Sequence, residues 1–459
     1  MRRGTVAAIL GASVLALAAA GYVVLDGRDL APGVVTAAGA VRPADPPTLS
    51  AQSGQPVADP AQSEGAPVSA SAVEAAWGAA QAAAADGKWR TWAHVVDAST
   101  GDVLLDSGGS QAHTPASITK VLSAFTALAH LDPSARLSTG TSLQGTDLYL
   151  WGQGDLLLGE GAGNPATTNG HAGVGDLANL TATALKDKGV TRVVLHPATD
   201  LFAGESHLGA WAGQEVANYE GHVGAMAVDS GRVNGDSMNF VPDPELSVAE
   251  ILAAHLRSAG VEVEMAGAAA APASATELAR VDSATLAQQI RYFLQESDNT
   301  MADQYCRLAA HAAGAEPTYA GATALVLKDL TAGGVSVEGM TLEDCSGLST
   351  NDKIPGSVLT GAIRASLASD RPALADLARS LPWAGLQGTM HNRLEGASTA
   401  GNVQAKTGSL AAVSSLAGVV TTSSGRTLVF AVGNDGVPDD AAALTRPHLD
   451  NFVAALAAL

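Results

Sequence analysis

Apolar and polar positions fall into three regimes along this chain. Residues 5–25 carry no charge, lie between Arg2-Arg3 and Asp26, and as a helix would span ~31 Å at ~1.5 Å per residue. The pattern predicts an N-terminal hydrophobic helix over 1–25, a signal anchor or signal peptide. The length of the run favours an uncleaved anchor, with Ala18-Ala19-Ala20 as the alternative cleavage site. The two arginines would keep the N-terminus inside and place the rest of the chain outside. Residues 26–72 hold seven prolines, and no aromatic residue occurs between Tyr22 and Trp77. Such a stretch cannot bury a core and reads as a disordered Pro/Ala-rich linker.

Beyond it the pattern becomes that of a folded chain. Helical spacing runs over 73–85. Residues 92–97 and 103–105 read as strands joined by a short loop, hence a hairpin. Residues 117–129 have the apolar spacing of a buried helix, as do 286–295 and 301–312. Residues 411–413 and 427–432 read as strands.

Composition narrows the classes. A chain of 459 residues that is 47% hydrophobic and 15% charged can hold two or three cored domains. A formal net charge of −20 repels phosphate backbones and argues against nucleic acid. Eleven histidines are scattered without metal-ligand spacing, so neither a metal nor a cofactor is expected. His113, close to the candidate nucleophile, reads as a loop residue rather than a base. Cys306 and Cys345 are the only cysteines. In an exported chain they are a candidate disulfide, with two buried thiols as the alternative.

The chemistry lies in three short motifs. Ser117-Ile118-Thr119-Lys120 is the one S-x-x-K tetrad. Residues three apart share a helix face, so Lys120 can reach the Ser117 hydroxyl and, if burial keeps it partly neutral, activate it. Ser297-Asp298-Asn299 falls between two predicted helices. Two other S-x-N triplets, at Ser237 and Ser349, lack that setting. Lys406-Thr407-Gly408 is the one K-T-G, in a chain of seven lysines, and is predicted on a sheet edge where an extended peptide could pair. S-x-x-K, S-D-N and K-T-G in this order form a signature shared by penicillin-binding proteins and class A β-lactamases. No G-x-S-x-G, H-E-x-x-H or C-x-x-C is present.

The 180 residues from Ser117 to Ser297 exceed what one β-lactamase domain accommodates. With that insertion the chain resembles the low-molecular-mass class C penicillin-binding proteins, the D-alanyl-D-alanine carboxypeptidase/endopeptidase family. Residues 147–155 (DLYLWGQGD), 224–229 (GAMAVD), 344–349 (DCSGLS) and 388–393 (GTMHNR) are similar to recurrent segments of that family. Leu156 departs from it, standing where the family usually has proline. The resemblance implies an α+β fold. A transpeptidase-like domain, an antiparallel sheet flanked by helices, would occupy 73–135 and 281–459, with an inserted domain or domains at 136–280. It implies an exported cell-envelope serine peptidase, membrane-anchored or secreted, acting on peptidoglycan peptides and acylated by β-lactams. Ser117 would be the nucleophile and Lys120 the base. Ser297 and Lys406 would relay a proton, and Asn299 would hold the substrate backbone. Lys406, Thr407, Gly408 and Ser409 would form the substrate site, with backbone N–H groups of Ser117 and Ser409 as the oxyanion hole. A β-lactamase, or an inert wall-binding or sensor protein of the same fold, is the alternative.

Overall fold

The computed structural model describes residues 65–84, 89–197, 201–438 and 441–459. The expected N-terminal helix and most of the expected linker lie outside the described residues. Among the described residues no helix is long and apolar enough to cross a membrane.

The first described element is helix α1 (Ala70–Ala84), whose first turn is capped by the Ser69 hydroxyl accepting from the Ala72 N–H at 3.2 Å. Strands β1 (Arg90–Asp97) and β2 (Val103–Ser107) form the expected hairpin. A two-residue strand β3 (Ala112–His113) and a 3-10 turn over Ala116–Thr119 lead into α2 (Lys120–His130). Then come β4 (Arg136–Gln144), β5 (Asp147–Gly152), β6 (Asp155–Leu158), α3 (Val174–Asp187), β7 (Arg192–Pro197), β8 (Met226–Val228), α4 (Pro244–Ser258), β9 (Glu262–Met265) and β10 (Thr276–Thr285). Helices α5 (Leu286–Glu296), α6 (Asn299–Ala312) and α7 (Tyr319–Ala332) precede β11 (Ile354–Pro355) and α8 (Gly356–Leu367). After two single-turn helices the chain ends with β12 (Val403–Leu410), β13 (Val413–Thr421), β14 (Thr427–Asp435) and α9 (Ala442–Ala457).

Two five-stranded sheets organise these elements. The first, in the order β12-β13-β14-β1-β2, is antiparallel throughout. It is covered on both faces, and β14 shows why its sequence is apolar without alternation. Leu428, Phe430 and Val432 pack with Trp77 and Phe452 of α1 and α9. Val429 and Ala431 face the opposite core, with Ile118, Phe125 and Ile363. Successive side chains alternate faces, so a strand buried on both sides must be apolar at each position. The Trp77 and Phe452 rings meet edge to face at 4.9 Å.

The second sheet, β10-β4-β5-β7-β9, is mixed and built wholly from residues 136–285. β5, β7 and β9 run parallel to one another, whereas β10-β4 and β4-β5 are antiparallel. Leu148, Leu150, Val193 and Leu195 pack with Leu177 of α3 and Leu252 of α4. Strand β6, paired parallel to β8, joins the two cores. Leu156 and Leu157 belong to the larger one, and Leu158 to the smaller.

Two sequence expectations are corrected. Ala411-Ala412 is the turn between β12 and β13 rather than part of a strand. His113 lies in a short strand rather than a loop, pairing with Ile354. Its ring stacks on Trp92 at 4.5 Å and its Nδ1 meets Asp435 Oδ2 at 2.5 Å, so it braces the sheet.

Candidate active site

The Ser117 turn is held under backbone strain. Ala116 has φ +53°, a conformation a non-glycine residue rarely adopts. Two glycines make room for it. A Cβ on Gly347 would lie 2.0 Å from Ala116 O, and one on Gly408 would lie 2.1 Å from Ser415 Oγ and 2.8 Å from Pro115 O. Gly408 is buried and supplies close approach between β12 and the Ser117 turn.

Lys120 opens α2 one turn after Ser117 and has no solvent exposure. Its Nζ donates to Ser117 Oγ at 2.9 Å, Asn299 Oδ1 at 2.6 Å and the Ser346 carbonyl at 2.7 Å. Burial pulls its pKa down to about 8, against the raising pull of Glu220, Asp344, Asp303 and Asp298.

The S-D-N corner is set by the helices around it. α5 starts with a capping box between Thr285 and Gln288 and ends at Ser297, left-handed at φ +60°. Asp298 then caps α6 by accepting from Met301 N at 3.0 Å. The same carboxylate accepts from Ser230 Oγ and Arg232 Nη2, both at 2.8 Å. Asn299 donates to the Tyr219 carbonyl at 2.8 Å. Lys406, on edge strand β12, is also without exposure. Its Nζ donates to Ser297 Oγ and to the Thr407 carbonyl, each at 2.8 Å. Burial pushes its pKa well below the lysine range, and Lys120 and Arg393 push the same way.

The structure thus gathers the five residues as two neighbouring hydrogen-bonded groups, Ser117, Lys120 and Asn299 in one and Ser297 and Lys406 in the other. A cleft of about 890 Å³ opens above them, lined by Ser117, Ser297, Thr389, Thr407, Ser409 and Arg446 among others. Thr407 Oγ1 donates to Thr389 Oγ1 at 3.0 Å. Cys306 and Cys345 are disulfide-bonded, with Cα atoms 6.4 Å apart. That bridge ties α6 to the loop carrying Ser346. Asp344 shapes this loop by accepting from the N–H groups of Ser346, Gly347 and Ser349 and from Trp211 Nε1.

Several contributors escaped the sequence reading. The strap carrying Trp211, Tyr219 and Glu220 reaches the site from far along the chain without a motif of its own. Its Gly221 N–H donates to Thr300 Oγ1 at 2.9 Å. Glu220 is buried with both carboxyl oxygens lacking a hydrogen-bond donor. Burial and the nearby Asp303 and Asp344 push its pKa well up. Arg446, on α9, carried no signal. Ser346 and Thr389 did lie inside segments singled out by resemblance.

A search against family models matches this chain to the D-Ala-D-Ala carboxypeptidase 3 (S13) family over residues 78–239 and 234–456. A carboxypeptidase of Mycobacterium tuberculosis is 34% identical over 411 residues, covering 86% of each chain. The carboxypeptidase DacB of Mycolicibacterium smegmatis is 33% identical, covering 79% of each. Among solved structures, penicillin-binding protein 4 of Haemophilus influenzae aligns over 80% of this chain and 97% of its own. The TM-score is 0.65 at 20% identity, a likeness of fold.

Proposed function

The chain belongs to the D-Ala-D-Ala carboxypeptidase 3 (S13) family, and from that premise we propose that it is a serine DD-peptidase working through an acyl-enzyme on Ser117. The observation that carries the reading is Lys120 Nζ at 2.9 Å from Ser117 Oγ. A lysine with a pKa near 8 is neutral in about one molecule in ten at pH 7, enough to accept the serine proton. The mixed α+β fold is read as a transpeptidase-like domain, 73–135 and 281–459, with 136–280 inserted. It acts outside the cytoplasm on peptidoglycan stem peptides.

Ser117 Oγ attacks the carbonyl of the penultimate D-Ala as its proton passes to Lys120. The N–H groups of Ser117 and Ser409 stabilise the oxyanion, a contribution typically of ~10²–10³ in rate. The amide C–N bond then breaks. The leaving amine takes up a proton through Ser297, whose hydroxyl is bonded to Lys406. Asn299 holds the peptide backbone, and water releases the acyl group by the reverse proton path. A β-lactam enters the same route, forms the same ester and leaves slowly.

The test is the intact mass of the ectodomain after benzylpenicillin, with Ser117→Ala alongside. One stable adduct on the wild type and none on the variant is expected. An unmodified wild type with penicillin left intact would reject the acyl-enzyme, and rapid destruction of penicillin would mark a β-lactamase instead.

A further inference from the structure

The S-D-N corner is held from outside by a stretch distant in sequence. Asn299 Nδ2 donates to the Tyr219 carbonyl at 2.8 Å, the Gly221 N–H to Thr300 Oγ1 at 2.9 Å and the Gly224 N–H to Gln304 Oε1 at 3.1 Å. The same stretch ends on Asp298, whose side chain has no solvent exposure. Asp298 Oδ1 caps α6 through Met301 N. Its other oxygen, Oδ2, takes Ser230 Oγ and Arg232 Nη2, each at 2.8 Å.

The turn that presents Ser230 and Arg232 is unusual. Asp229, Ser230 and Gly231 have φ of +46°, +55° and +80°, and a run of left-handed residues persists only where the surroundings over-determine it. Strand β8 leads into the turn, itself paired with β6. Behind it the Val241 N–H donates to the Gly231 carbonyl and the Val233 N–H to the Asn239 carbonyl, each at 2.9 Å. The Arg232 guanidinium carbon lies 6.0 Å from the centre of the Phe240 ring, and its Nη1 stands 3.5 Å from Asp229 Oδ1. Burial works against its charge, but Asp298 and Asp229 outweigh it. A guanidinium held in this way fixes the angle as well as the place of a buried carboxylate, because its donors form a rigid fork.

We propose that Arg232, seconded by Ser230, is a positioning residue for the reaction at Ser117: by holding Asp298 it aims Ser297 and Asn299 on either side. The inference rests on the DD-peptidase reading above. Ser297 Oγ is the partner of Lys406, and Asn299 Oδ1 is a partner of Lys120. A displaced Asp298 therefore disturbs both lysines at once. The stretch from Tyr219 to Arg232 so contributes to the catalytic geometry without touching a reacting atom.

The experiment measures acylation by benzylpenicillin in stopped flow, separating the limiting rate from the half-saturating concentration, with a urea midpoint for each protein. Arg232→Gln should lower the limiting rate by about tenfold to a hundredfold, as a misplacement of about 1 Å can. The half-saturating concentration should change little, and Arg232→Lys, which keeps the charge but not the fork, should restore part of the rate. Ser230→Gly removes the hydroxyl while glycine accepts the φ of +55°, and should cost about tenfold or less. It carries the test alone if Arg232→Gln does not fold. Leu252→Ala, fully buried in the smaller core, is the control: its urea midpoint should fall while the folded enzyme acylates at the wild-type rate. Wild-type rates in both Arg232→Gln and Ser230→Gly, or an equal loss in Leu252→Ala, overturn the inference and leave the peptidase reading intact. A wild type that benzylpenicillin does not acylate overturns both.

Discussion

Lys120 and Lys406 are equally buried and each reaches a serine hydroxyl, at 2.9 and 2.8 Å, yet their surroundings carry opposite charge. Around Lys120 stand four carboxyl groups, Glu220, Asp344, Asp303 and Asp298. Around Lys406 stand the cations Lys120 and Arg393. Desolvation lowers both pKa values, but the carboxyl groups arrest the fall at Lys120 near 8, whereas the cations deepen it at Lys406. Environments that push like groups apart assign them different tasks. Lys406, bonded to Ser297, is driven strongly towards its neutral form, whereas Lys120 titrates near 8.

That contrast can be broken most directly by deleting each amine. Lys120→Met removes the proposed base and should slow acylation by benzylpenicillin by about 10⁴, the upper end of general-base contributions. Lys406→Met removes the proposed auxiliary of Ser297 and should cost about 10². Equal losses in stopped-flow acylation would erase the distinction. The pH dependence is a second check on the same pair. The wild-type acylation rate should rise with pH and level off above a midpoint near 8. For stability, Lys120 is protonated in the unfolded chain up to its ordinary value of 10.5 and in the fold only below about 8. Its contribution is therefore least favourable below 8 and improves with rising pH between 8 and 10.5.

The disulfide sharpens the comparison because its direct support goes to Lys120. It joins α6 to the loop whose Ser346 carbonyl accepts from Lys120, and it bears on Lys406 only through Ser297, at the corner before α6. For a sequence separation of 39, loop-closure entropy predicts about 4 kcal/mol of stabilisation. The double variant Cys306→Ala/Cys345→Ala should unfold at lower denaturant. Its acylation should slow by about tenfold or less, as expected when a positioning support rather than a reacting group is lost. A midpoint in urea equal to the wild type would remove the bridge from the account.

The site was legible in the sequence to the extent that its residues sit within short motifs on regular elements. Ser117 and Lys120 share a turn, Ser297 to Asn299 fill a corner between helices, and Lys406 to Ser409 lie on one edge strand. Spacing alone juxtaposes them within each motif. What spacing could not convey is assembly across the chain. Glu220 acts electrostatically on Lys120 across the fold, and Arg446 reaches Ser409 from a turn that Thr445 docks on β13. Neither juxtaposition leaves a local pattern. The fold was read where apolar periodicity was strong, as in β14, buried on both faces. It was misread at Ala411-Ala412, where small apolar residues are as compatible with a tight turn as with a strand.

The finest test of the contrast changes one carboxyl without changing the shape of the pocket. Asp303 Oδ1 accepts from Cys345 N at 2.8 Å. Burial and Asp344 raise its own pKa to about 7. It is ionised when Lys120 titrates near 8, and its charge raises the lysine. Asparagine keeps an oxygen for Cys345 N and removes the charge. Asp303→Asn should therefore lower the acylation midpoint, by about one pH unit or less for a single screened charge. A midpoint that rises or stays fixed would mean that the carboxyl groups around Lys120 are neutral in the working enzyme, and the two lysines would then differ through burial alone.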